Sequence, residues 1–180
     1  ESIETHLLTH GWSSLSPAAY DVTQGVFPDE LVSFLAGSQP DEWRELCARL
    51  GGEPAARAKV VKRVTDEITA RGVVDVLRGV VKLNGVSFRV AFFAPANGLT
   101  PELWARYAAN RLAVVRQLHH SESRPGTSVD LTLVVNGIPT ATAELKNPLT
   151  QQRVAHAMEQ YRADRNPNDL IFAHRTVVHF

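Results

Sequence analysis

The stretch Ser128-Val129-Asp130-Leu131-Thr132-Leu133-Val134-Val135-Asn136-Gly137-Ile138-Pro139-Thr140-Ala141-Thr142-Ala143-Glu144-Leu145-Lys146 decides the fold. Val129–Val135 is a β-rich run, and Asn136-Gly137 is the dipeptide that supplies two successive positive φ angles to a tight hairpin turn. Ile138–Lys146 is then the returning strand. Side chains alternate along a strand, so Glu144 and Lys146 project from one face. Asp130 places a second carboxylate on the neighbouring strand. Such a pair can hold a hard divalent cation such as Mg²⁺, which takes one or two carboxylates and keeps several waters. The lysine can then orient or help deprotonate a water beside a phosphate. Metal-assisted phosphodiester hydrolysis needs that set. Taken alone, Asp-x13-Glu-x-Lys also fits a solvated, salt-bridging pair on exposed strands.

Strand geometry sets a condition on the cation reading. A two-residue turn at Asn136-Gly137 pairs Val135 with Ile138 and sets Asp130 opposite Ala143, which throws Glu144 onto the other face. The register must slip by one. We expect a three-residue loop, Val135-Asn136-Gly137, with Gly137 left-handed and a bulge, or an equivalent bulge elsewhere between Asp130 and Glu144. With the loop form, Asp130 pairs with Thr142 and Glu144 lies diagonally across on the same face.

Outward from this hairpin, Arg111 to Leu118 reads as a strand and His119 to Thr127 as a polar loop. Asn84-Gly85 is a second hairpin signal, joining Val80–Leu83 to Val86–Phe93. Pro101 opens a helix carrying Leu103, Trp104 and Tyr107. Thr150 to Asp164 is amphipathic, with Val154, Ala157, Met158 and Tyr161 on one face. Leu170–Phe172 and Thr176–Phe180 read as short final strands. The first part is helical. Ile3, Leu7 and Leu8 recur at helix spacing before Gly11, and Pro28 with Asp29 and Glu30 opens a helix through Leu35. Trp43, Leu46, Cys47 and Leu50 form a stripe ended by Gly51-Gly52. Pro54 to Ala70 carries Val60, Val61, Val64 and Ile68 inward and stops at Gly72. Helices followed by strands with interleaved helices predict an α/β or α+β sandwich, and we read it as α/β. We expect one domain over 1–180, mainly helical over 1–72 and sheet-containing over 73–180.

Composition narrows the function classes. With 19 basic and 19 acidic side chains the net charge is zero, so the chain lacks the basic excess of a stand-alone nucleic-acid binder. Residues 101–180 carry nine basic against seven acidic groups, and residues 1–100 ten against twelve, so any grip on DNA comes largely from elsewhere. The single cysteine, Cys47, excludes an intrachain disulfide and a Cys-rich zinc site, and on its apolar stripe it reads as a buried small hydrophobe. No run reaches the roughly 18 apolar residues of a membrane span. The acidic, polar first ten residues are no signal peptide, and a cytoplasmic location is expected. No Gly-x4-Gly-Lys-Ser/Thr loop is present for ATP. His119-His120 read as surface residues. His6 and His10 have no evident third ligand. Trp12, Trp43 and Trp104 read as core rather than base-stacking residues.

The stretch Ser128–Pro139, followed by Ala143-Glu144-Leu145-Lys146-Asn147-Pro148, resembles the core of the PD-(D/E)xK nuclease superfamily. Within it, the sequence is similar to the amino-terminal nuclease domain of the type I restriction enzyme motor (R) subunit. Asn110-Arg111-Leu112 with Gln117, and Gln160-Tyr161-Arg162 before Asp164-Arg165, extend the likeness, which covers residues ~100–180 well and the helical first part loosely. The resemblance implies a restriction-endonuclease-like mixed sheet flanked by helices. It also implies Mg²⁺ on Asp130 and Glu144, with the Leu145 backbone carbonyl as a third ligand, Lys146 as the catalytic lysine, and Gln160 as a candidate on the following helix near the active site. Related nucleases sometimes add a glutamate from the first helix, and Glu4 is the better-placed candidate here. The family often places a Gln and a Tyr four residues apart on the following helix. This chain departs from that, since Asp164 stands four after Gln160, and Tyr161 reads as core.

The implied activity is Mg²⁺-dependent cleavage of double-stranded DNA, with modification and specificity subunits as partners. ATP would be consumed only by helicase domains beyond Phe180, the chain being a fragment of a longer protein. Two alternatives stay open: a PD-(D/E)xK nuclease of another repair or phage-defence system, and a catalytically silent docking module.

Overall fold

Prolines and acids open the N-terminal helices at the expected places. In the computed structural model, which describes residues 3–98, 100–145 and 165–180, helix α1 spans Ile3–Thr9, α2 Pro28–Ser38, α3 Pro40–Leu50, α4 Glu53–Arg71, α5 Val73–Arg78 and α6 Pro101–Ala108. Pro28 and Pro40 sit at the first helical positions, with Asp29, Glu30, Asp41 and Glu42 at the positive dipole ends. Gly51 ends α3 at φ 79°, where the N–H groups of Gly51 and Gly52 both donate to the Cys47 carbonyl. Lys146, Gln160, Tyr161 and the helix expected over 150–164 lie outside the described residues.

The strands are β1 (Ser13–Ser14), β2 (Val81–Leu83), β3 (Val86–Phe88), β4 (Leu112–His119), β5 (Ser128–Val135), β6 (Ile138–Ala143) and β7 (Val178–His179). Among the described residues they form a five-stranded sheet of order β1-β4-β5-β6-β7 and a separate β2-β3 hairpin. The central β4-β5-β6 strands are an antiparallel meander, and the edge strands β1 and β7 run parallel to their neighbours. The fold is mixed α/β, as expected.

Two apolar clusters hold it together. One joins α2–α5 to the β2-β3 hairpin through Leu31, Leu35, Leu46, Val60, Val64, Ile68, Val76, Val81 and Phe88. The other packs Tyr20, Phe27 and Ile171 on the sheet residues Ala113, Val115, Leu118 and Val134. Ile138, the first residue of β6, belongs to the helical cluster. The β5-β6 turn is therefore anchored in the helical layer.

Several expectations fail for local reasons. Leu170–Phe172 is no strand: Ile171–Arg175 is a π-helical turn, and the Asp169 carbonyl accepts from the N–H groups of Phe172 and Ala173. A three-residue apolar run does not distinguish strand from helix. β3 stops at Phe88, because Gln39 donates to the Arg89 carbonyl and accepts from its N–H, both at 2.8 Å. Asn110 satisfies Phe92 in the same way, so these side-chain amides take the backbone groups a partner strand would use. Trp43 is core, but Trp104 is exposed and donates to the Asn97 carbonyl. Cys47 is only half-buried, and His120 is buried rather than on the surface.

Candidate functional site

The β5-β6 hairpin turns through Asn136 and Gly137, at φ 51° and 82°, with Val135 paired to Ile138. The three-residue loop is thus replaced by a two-residue turn. Its tightness follows from what both residues touch. The Gly137 carbonyl accepts from Phe27 N–H at 2.8 Å, and a Cβ on Gly137 would lie 2.5 Å from the Leu31 nitrogen. Asn136 is fully buried; its Oδ1 accepts from Arg111 N–H, and its Nδ2 donates to the Val90 carbonyl and to Asn110 Oδ1. Arg111 in turn grips Glu30 of α2 through two hydrogen bonds of 2.7 and 3.1 Å.

The register slip occurs in β6 instead. Val134 pairs with Pro139 and Leu133 with Ala141, leaving Thr140 as the bulged residue. Pro139 has no N–H to give the ladder, which suits it to the edge of a bulge. Beyond the bulge Leu131 pairs with Ala143. One step further sets Asp130 directly opposite Glu144, on one face. This is closer than the diagonal relation expected from the loop form.

Each carboxylate is held by named groups. Asp130 Oδ1 accepts from Gln117 Nε2 at 2.9 Å and Oδ2 from Leu145 N–H at 2.8 Å. The Glu144 side chain is 2% exposed and forms an ion pair with Arg165, itself 7% exposed, while Glu144 N–H donates to the Phe180 carbonyl. The β4-β5 register on either side sets Gln117 opposite Asp130, and Glu144 follows directly after the end of β6, so the three residues fall in one row by continuation of the strand registers. Gln117 entered the sequence reading only through the family likeness; its φ of 48° is the structural signal that marks it.

Close by lies a second buried polar group. His120 Nδ1 is 3.2 Å from Asp169 Oδ2, and Ser121 Oγ donates to Asp169 Oδ1 at 3.0 Å. Burial pulls the His120 pKa below its ordinary value; Asp169 opposes that and the Arg165 charge reinforces it. Glu4, on α1, pairs with Arg116 at 3.3 Å, one residue along β4 from Gln117. Among the described residues, no three His, Cys, Asp or Glu side chains are grouped to hold a metal. Asp130, Glu144 and the Leu145 carbonyl are nonetheless the hard oxygen donors that Mg²⁺ takes, and Arg165 supplies the positive charge at Glu144. The donor chemistry fits the ion.

Among the described residues no helix is long and apolar enough to cross a membrane. No curated protein and no solved structure matches the chain. A family model described as the type I restriction enzyme R protein N terminus matches residues 58–177, two thirds of the chain, including both hairpins and the Asp130–Glu144 pair. The chain belongs to the family of type I restriction enzyme R protein N-terminal domains.

Proposed function

We propose that this domain is the Mg²⁺-dependent DNA endonuclease of a type I restriction R subunit, acting in the cytoplasm on double-stranded DNA. The observation that carries the reading is the bulge at Thr140. Without it alternation would turn the two carboxylates to opposite sides of the sheet; the register past the bulge, Leu131 with Ala143, continues to Asp130 and Glu144 on one side. Asp130 and Glu144, with the Leu145 carbonyl, would hold the ion, and Glu4 is a further candidate ligand. When bound, Mg²⁺ polarises a phosphoryl oxygen and acidifies water. The chain's own residues do the rest. Gln117 and Leu145 N–H fix both oxygens of Asp130. Arg165 yields Glu144 Oε1 for that oxygen to serve as a ligand. Lys146 would orient or deprotonate the attacking water, and Gln160 is a further candidate to assist. Modification and specificity subunits would choose the DNA, and helicase domains of the same protein would consume the ATP.

In the full assembly, Asp130→Ala, Glu144→Ala and Lys146→Ala should each abolish cleavage while ATP hydrolysis survives. Near-normal cutting by any one variant removes that residue from the mechanism. A second reading, a catalytically silent docking module, is favoured by the Arg165–Glu144 ion pair, which already satisfies the buried carboxylate. Titration with Mn²⁺ separates the two, because the silent module binds no ion at Asp130 and Glu144.

A further inference from the structure

We infer that Gln117 is a positioning residue, which aims the Asp130 carboxylate at the cation; the inference rests on the metal-dependent reading above. Three observations converge on it. First, Gln117 adopts φ 48° inside an eight-residue strand, a region L side chains enter rarely and glycine enters freely. Second, the kink does not re-register the sheet. Arg116 pairs with Leu131 on one side of it and Leu118 with Val129 on the other, in unchanged register. No residue is inserted, so the kink is no bulge, and strand pairing gains nothing from it. What it alters is the direction of the Gln117 side chain itself.

Third, that side chain is fixed at both ends. Ser128 Oγ donates to Gln117 Oε1 at 2.9 Å, which leaves the amide nitrogen facing Asp130 Oδ1, also at 2.9 Å. An ionised carboxylate only accepts, so the amide orientation follows from both neighbours. With Leu145 N–H on Oδ2, the Asp130 carboxylate is clamped in one plane, and each oxygen keeps a lone pair for a cation. Backbone strain kept in a strand without benefit to pairing marks a site where side-chain aim is selected over local stability.

The test uses Mn²⁺ alone as probe, read by electron paramagnetic resonance on the full chain, with thermal melting alongside. Gln117→Gly relieves the positive φ and removes the amide; Gln117→Met keeps the strain and removes the amide. Both should weaken Mn²⁺ binding about 10- to 100-fold, the usual cost of losing a partner that orients a ligand. Gln117→Gly should melt no lower than the parent, so affinity falls while stability does not. A merely structural Gln117 would instead lower both together in the glycine variant, and that result overturns the inference. Asp130→Ala is the reference. If it abolishes Mn²⁺ binding while both Gln117 variants bind like the parent, the positioning role is wrong and the metal reading stands. If Asp130→Ala binds Mn²⁺ like the parent, the metal reading fails and the role of Gln117 fails with it.

Discussion

A carboxylate as buried as Glu144 needs an opposite charge beside it, and in this structure Arg165 supplies it. Removing one partner of a buried ion pair typically costs about 3–5 kcal/mol, because the other charge stays buried and uncompensated. Arg165→Met should therefore lower the stability of the metal-free chain by about that amount in a urea titration. On the proposed metal reading, added Mg²⁺ should restore part of the loss by taking over the counter-charge. An Arg165→Met chain as stable as the parent without metal would show that the pair contributes little. Of the residues in this row, Asp130 and Glu144 were legible from their place on neighbouring strands. Arg165 entered only through the likeness, because it is distant in sequence and its charge is ordinary until the fold buries it. Gln117 was named only through the likeness, since no propensity argument points to a positive φ at glutamine.

At the scale of the element, the hairpin shows how far alternation carries an argument. The demand that two carboxylates share a face required one extra residue between them, and one is there. Its location depended on contacts that local sequence does not display. Gly137 lies against the Phe27 carbonyl and the Leu31 nitrogen of α2, and buried Asn136 bonds to residues 90, 110 and 111, so the turn has no room for a third residue. The slip was displaced to Thr140, next to the proline that cannot donate. Gly137→Ala should accordingly cost more than about 1 kcal/mol, since it combines a positive φ with a collision against helix backbone. Deleting Thr140 should be more telling. It restores simple alternation and turns Glu144 to the opposite face, so Mn²⁺ binding should be lost while far-ultraviolet circular dichroism keeps its mixed α/β shape. Retained binding in that deletion variant would break the link between bulge and site.

Across the whole molecule, much of the positive charge of the described residues is balanced locally. Arg44, Arg49, Arg57, Lys62, Arg63, Arg71, Arg111 and Arg116 each pair with a carboxylate, most of them on the exposed surface. The one buried histidine among the described residues sets a pH limit. Burial lowers the pKa of His120, and partial desolvation that of the more exposed His179, so the unfolded chain binds more protons than the folded one as acid is added. Stability should be full above the ordinary histidine pKa of about 6.5 and fall as pH drops through it. Melting curves between pH 8 and pH 5 check this, and His120→Gln should flatten the slope. The same local pairing of charge bears on the proposed contact with DNA. Each neutralised phosphate contributes about −0.9 to the slope of log affinity against log salt. With zero net charge and many cations already paired to carboxylates, the chain alone should engage only about two or three phosphates, with a slope of about −2 to −3. Fluorescence anisotropy on a duplex between 50 and 200 mM KCl measures that slope. A value of about −6 or steeper would mean that these ion pairs open on DNA and expose a basic face. A shallow slope would instead assign the grip on DNA to other parts of the proposed restriction complex.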